Sequence, residues 1–74
     1  MDFRERIECK PDVLQGKPVI RGTRISVELI LEKLSRKASI TDLLEAYPHL
    51  NQDDILAALA YASAALSQEE MLVV

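Results

Sequence analysis

The sequence predicts a mainly α domain, a three-helix bundle with short N-terminal β-strands. Three observations predict it. Apolar residues recur at helical spacing in three runs between residues 26 and 66. A capping residue, Ser26, Ser39 or Asn51, stands before each run. Both glycines, Gly16 and Gly22, and the prolines Pro11 and Pro18 fall in one stretch ahead of the first helix, where they forbid a continuous helix.

In chain order, residues 3–9 alternate loosely, with Phe3, Ile7 and Cys9 on one side, the pattern of a short edge strand in which Cys9 is a small buried residue. Pro11 ends that strand. The following stretch through Ser26 reads as an ordered arm, with short extended pieces at Pro18-Val19-Ile20 and Thr23-Arg24-Ile25, and with Gly22 supplying a backbone angle that a side chain would resist. Residues 1–25 thus form the strand and basic arm, and residues 26–74 the helical bundle, of a single domain.

Ser26 caps a first helix over 27–36 whose apolar face is Val27, Ile30, Leu31 and Leu34. Glu28 suits its positive end, and Lys33, Arg36 and Lys37 suit its negative end. Ser39 and Asp42 have the spacing of a capping box, although Asp replaces the usual Glu or Gln, and they start a second helix with the face Ile40, Leu43, Leu44 and Tyr47. Pro48 closes it, because the residue before a proline resists helical backbone. Asn51 caps the third helix, with Asp53 and Asp54 in its first turn and Leu50 and Ile55 as a hydrophobic staple.

The third helix is the most informative. Ile55, Leu59, Ala62 and Leu66 make a core stripe, but the opposite side is Ala57, Ala60, Tyr61, Ala64 and Ala65, and no charge occurs between residues 55 and 68. A helix apolar all round needs cover on both faces. In so short a chain the second cover is expected to be another chain, first of all a second copy, with Tyr61 as anchor. The apolar tail Met71-Leu72-Val73-Val74 either frays or docks on a partner, so Leu72 joins the expected interface.

Composition narrows the function classes. At 74 residues the chain buries too little apolar surface to be comfortably stable alone, and oligomerisation is the expected support. Cys9 and His49 are the sole cysteine and histidine, which closes the disulfide and zinc routes, and no cofactor is expected. No run approaches the roughly 20 apolar residues of a membrane span, and the N-terminus is too charged for a secretory signal, so a cytoplasmic location is expected. All nine basic residues lie at or before Lys37: residues 1–37 carry nine basic and six acidic groups, whereas residues 38–74 carry six acidic groups alone. Such asymmetry predicts two surfaces with different partners.

The run Gly16-Lys17-Pro18-Val19-Ile20-Arg21-Gly22-Thr23-Arg24-Ile25, followed by a capped helix, Tyr47-Pro48 and Ile55-Leu56-Ala57-Ala58-Leu59-Ala60-Tyr61-Ala62, resembles the domain-of-unknown-function 433 family over residues 7–66. The resemblance implies a homeodomain-like or winged-helix-like bundle with short N-terminal strands, usually dimeric, of the kind classed with VapB-type antitoxins, often encoded beside a PIN-like ribonuclease toxin. Antitoxins of that kind block the toxin and bind their own operator DNA.

Lys17, Arg21, Thr23, Arg24, Lys33, Arg36 and Lys37 are the candidate contacts to DNA or toxin. Cations neutralise phosphates, and an arginine fork also pairs with the carboxylates a PIN-like ribonuclease gathers around its metal. A helix-turn-helix reading would insert the start of the third helix into the major groove, but Asp53 and Asp54 there oppose a phosphate backbone. They read better as dipole caps, and Asp42, Glu45, Asp53 and Asp54 read as helix-start and surface charges rather than a magnesium site. The leading expectation is an antitoxin of a type II toxin–antitoxin pair. A stand-alone DNA-binding regulator is the alternative, and an enzyme fits worst, since no nucleophile–base pair or phosphate loop is present.

Overall fold

In a computed structural model, which describes residues 2–67, the chain contains three helices and a two-stranded antiparallel sheet. The tail Met71–Val74, with the expected contact at Leu72, lies outside the described residues. The Asp2 carboxylate accepts the Arg4 backbone N–H at 2.9 Å and opens a single 3-10 turn, Phe3–Glu5. Strand β1 (Ile7–Glu8) pairs with β2 (Val19–Ile20), Ile7 opposite Ile20 and Glu8 opposite Val19. The expected strand over residues 3–9 is therefore cut to two residues, because the Asp2 cap spends the first of them on a turn. Cys9 falls beyond the strand and is exposed, not buried.

Helix α1 (Val27–Ser35) starts on Ser26, whose hydroxyl accepts the Leu29 N–H at 2.9 Å. It ends in a Schellman turn: the Lys37 N–H reaches the Leu34 carbonyl and the Ala38 N–H the Lys33 carbonyl, each at 3.1 Å. Helix α2 (Ile40–Ala46) opens on the capping box, Asp42 N–H to Ser39 Oγ at 3.0 Å and Ser39 N–H to Asp42 Oδ2 at 2.8 Å, so aspartate closes the box as Glu would. Helix α3 (Gln52–Leu66) opens on a second box between Asn51 and Asp54, both bonds 3.0 Å.

The core joins the arm to the bundle. Ile7, Val19 and Ile20 are buried, as are Val27 and Ile30 of α1, Leu43 of α2, Leu50 of the α2–α3 turn, and Ile55, Ala57 and Ala58 of α3. Phe3 meets Tyr61 edge to face, with ring centroids 5.6 Å apart, which pins the N-terminus on α3.

The inward face of α3 differs from expectation. Ala57, expected on the outward side, is fully buried, whereas the expected core residues Leu59 and Leu66 are 38% and 63% exposed. The outward stripe is Leu56, Leu59, Ser63 and Leu66, at i, i+3, i+7 and i+10. Periodicity gives no direction on a helix apolar all round. Tertiary packing gave it: α3 meets α1, β1 and the N-terminal turn, and the small side chains Ala57 and Ala58 let those elements approach closely.

Candidate functional site

The Gly16–Ile25 element is first of all a structural clasp. Gly16 and Gly22 take φ of 84° and 77°, the left-handed region that glycine adopts freely. Arg21 folds back over the N-terminal turn, donating from Nε to the Glu5 carbonyl at 2.9 Å and from Nη2 to the Arg4 carbonyl at 3.0 Å. Its Nη1 lies 3.4 Å from Glu8 Oε1, while Glu8 Oε2 accepts the Gly22 N–H at 3.1 Å. The Thr23 hydroxyl donates to the Ile20 carbonyl at 2.8 Å and accepts the Ile25 N–H at 3.0 Å, closing the turn into α1.

Most expected binding residues are therefore already occupied within the chain. Arg21 and Thr23 hold the clasp; Lys17 pairs with Glu28 at 3.1 Å, and Arg36 with Glu32 one helical turn away at 3.1 Å. These exposed pairs stabilise little and yield readily to a stronger anion. Among the described residues Arg24, Lys33 and Lys37 have no ion pair, and all three are exposed. Arg24 precedes α1 and the two lysines close it, so the fold spreads them along one helix rather than gathering them.

The start of α3 gains a partner that the sequence did not reveal. Arg6 Nη1 donates to Asp54 Oδ1 at 3.1 Å and to Asn51 Oδ1 at 3.4 Å, and Nη2 lies 3.6 Å from Asp53. Asp54 is buried, so this bond and the capping box together supply the partners a buried carboxylate requires. Glu8 was missed for the same reason: in both cases the partner is remote in sequence and no local spacing announces it. Among the described residues no group of three or more His, Cys, Asp or Glu gathers to hold a metal ion.

The expected interface is redistributed. Ala57 belongs to the core and leaves it, Ala60 and Ala64 are half-buried, and Ala65 is exposed. Tyr61, held by Phe3, lines an open groove of about 310 Å³ between α1 and α3 with Pro18, Val27, Leu31, Ala65 and Leu66; among the described residues Glu28 is its one charged wall. Leu66 also ends the exposed leucine stripe Leu56, Leu59 and Leu66 of α3. The stripe was legible as i, i+3, i+10 spacing, but only once the inward face had been fixed.

Known proteins are similar to this chain in sequence and in fold. The chain is 39% identical over 61 residues to the uncharacterized protein y4eO of Sinorhizobium fredii (strain NBRC 101917 / NGR234), a match that takes in 82% of this chain and 28% of that protein. It superposes with a TM-score of 0.80 and 33% identity on the crystal structure of a DUF433 member protein from Anabaena variabilis ATCC 29413, covering 85% of this chain and 62% of that one. The chain thus spans about a quarter of the first relative's length and less than two thirds of the second's. The family described as protein of unknown function (DUF433) matches residues 7–62, from the first buried strand residue to the groove wall of α3. Since that match takes in the clasp, the three helix starts and the core, this chain belongs to the DUF433 family.

Proposed function

We propose that this chain is a non-enzymatic, cytoplasmic binding protein: the antitoxin of a type II toxin–antitoxin pair, homodimeric, which caps a PIN-like ribonuclease toxin through α3 and contacts operator DNA through its cations. The observation that carries the protein-binding part is the outward stripe Leu56, Leu59 and Leu66, whose last member also lines the α1–α3 groove. A buried leucine gains about 1.5–3 kcal/mol over an exposed one, so covering this stripe favours association. The ribonuclease as partner follows from the antitoxin resemblance of the clasp and helix pattern.

Co-expression with the product of the adjacent gene tests it. The expected result is a stable complex and relief of growth arrest, both abolished by Leu59→Asp with the helical content unchanged. A neighbour that neither arrests growth nor co-purifies overturns the antitoxin reading. The second reading, a stand-alone DNA-binding regulator, is favoured by the three cations that carry no ion pair among the described residues, Arg24, Lys33 and Lys37. It expects binding to the chain's own upstream DNA that weakens steeply with salt.

A further inference from the structure

The turn Gly22–Ile25 and the turn joining α2 to α3 are separated in sequence by the whole of α1 and α2, yet they wall one hollow of about 560 Å³. Its walls are Arg21, Gly22, Thr23, Arg24, Ile25 and His49: two arginines, the chain's sole histidine and, among the described residues, no Asp or Glu. We propose that this hollow binds a phosphate group, with Arg24 and His49 as its free donors and Arg21 as its fixed edge.

Each part has a physical warrant. Arg21 is held by the carbonyls of Arg4 and Glu5, so its charge is already in place before a ligand arrives. Glu8, the anion nearest to it, has a side chain only 11% exposed and is engaged by Arg21, Lys10 and the Gly22 N–H, so little of its charge faces the opening. Arg24 is exposed and has no ion pair among the described residues. A guanidinium fork matches the oxygens of a phosphate, and His49, from the α2–α3 turn, adds an N–H donor to the same hollow. Thr23 shapes the wall rather than binding, since its hydroxyl is used in the turn. At Gly22 a Cβ would meet nothing within 4 Å, so the glycine serves the left-handed turn and the wall beside it stays open.

The shared chemistry is a phosphate oxyanion, supplied by a DNA backbone or free in solution. The inference rests on the DNA-binding part of the proposed function only for the carrier of the phosphate. The test is a titration of the ¹⁵N-labelled full chain with inorganic phosphate and, separately, with a duplex from upstream of its coding region. Both are expected to move the amides of Gly22, Arg24, Ile25 and His49. Arg24→Gln and His49→Gln are expected to weaken duplex binding severalfold, with Arg24→Gln lowering the slope of log affinity against log salt by about one. Lys33→Gln, at the far end of α1, is the comparison and is expected to change affinity less. Phosphate shifts at these amides without duplex binding uphold the site and remove DNA as the carrier. Duplex binding that is indifferent to Arg24→Gln and His49→Gln, or no phosphate shift at these amides, overturns the site.

Discussion

Lys37 stands at the position just past the end of α1 with φ of 73°, where the Schellman bonds need a left-handed residue and glycine is the usual occupant. An L side chain there costs about 1 kcal/mol. Lys37→Gly is therefore expected to raise the urea midpoint by the equivalent of about 0.5–1 kcal/mol, and a lower midpoint would show that the lysine side chain holds α1 closed. Arg21 works the other way. Removing its guanidinium leaves two carbonyls to water and Glu8 with only Lys10 and the Gly22 N–H, so Arg21→Ala is expected to cost about 0.5–1.5 kcal/mol in a chemical denaturation experiment. Arg21→Lys recovers little, because an ammonium cannot span those acceptors as a planar fork does. Arg21 was legible as a candidate contact residue beside Gly22, but not as a clasp, since its acceptors lie on the chain's first turn.

At the scale of the elements, the helix starts were the most legible feature, because a cap and its partner lie three residues apart and obey local geometry alone. Their chemistry has a pH signature. The Ser39 backbone N–H, aided by its hydroxyl, holds the Asp42 carboxyl below the ordinary aspartate value of 3.8. Because the folded value is the lower one, the stabilisation is complete above that pH and is lost as pH falls through the folded value. Asp42→Asn is expected to lose this part of the acid dependence, read as the difference between the two unfolding midpoints from neutral pH to below pH 3.8. Identical midpoint differences at every pH would separate Asp42 from the acid response. At α3, Arg6→Ala removes the bond from Asp54 but leaves the capping box, and is expected to cost about 1–2 kcal/mol by denaturation. No spacing rule pairs residue 6 with residue 54, which is why this contact escaped the sequence.

Across the whole molecule, two leucines of the same chemistry have opposite roles. Leu43 is 1% exposed and Leu59 38%. Leu43→Ala is expected to cost about 2–5 kcal/mol, a large share of the stability of so small a domain, whereas Leu59→Ala is expected to cost under about 1 kcal/mol. Equal losses at the two sites would return Leu59 to the core. The sequence by itself determined the three helices, their caps, the special backbone angle at Gly22 and the fact that α3 is apolar all round, since these follow from neighbours within a few residues. Only the tertiary structure decided which side of α3 faces inward, that Arg21 clasps the first turn, that Arg6 reaches Asp54, and that Arg24 and His49 line one hollow. These depend on contacts between distant segments, and a helix without polar residues carries no local mark of which way it turns.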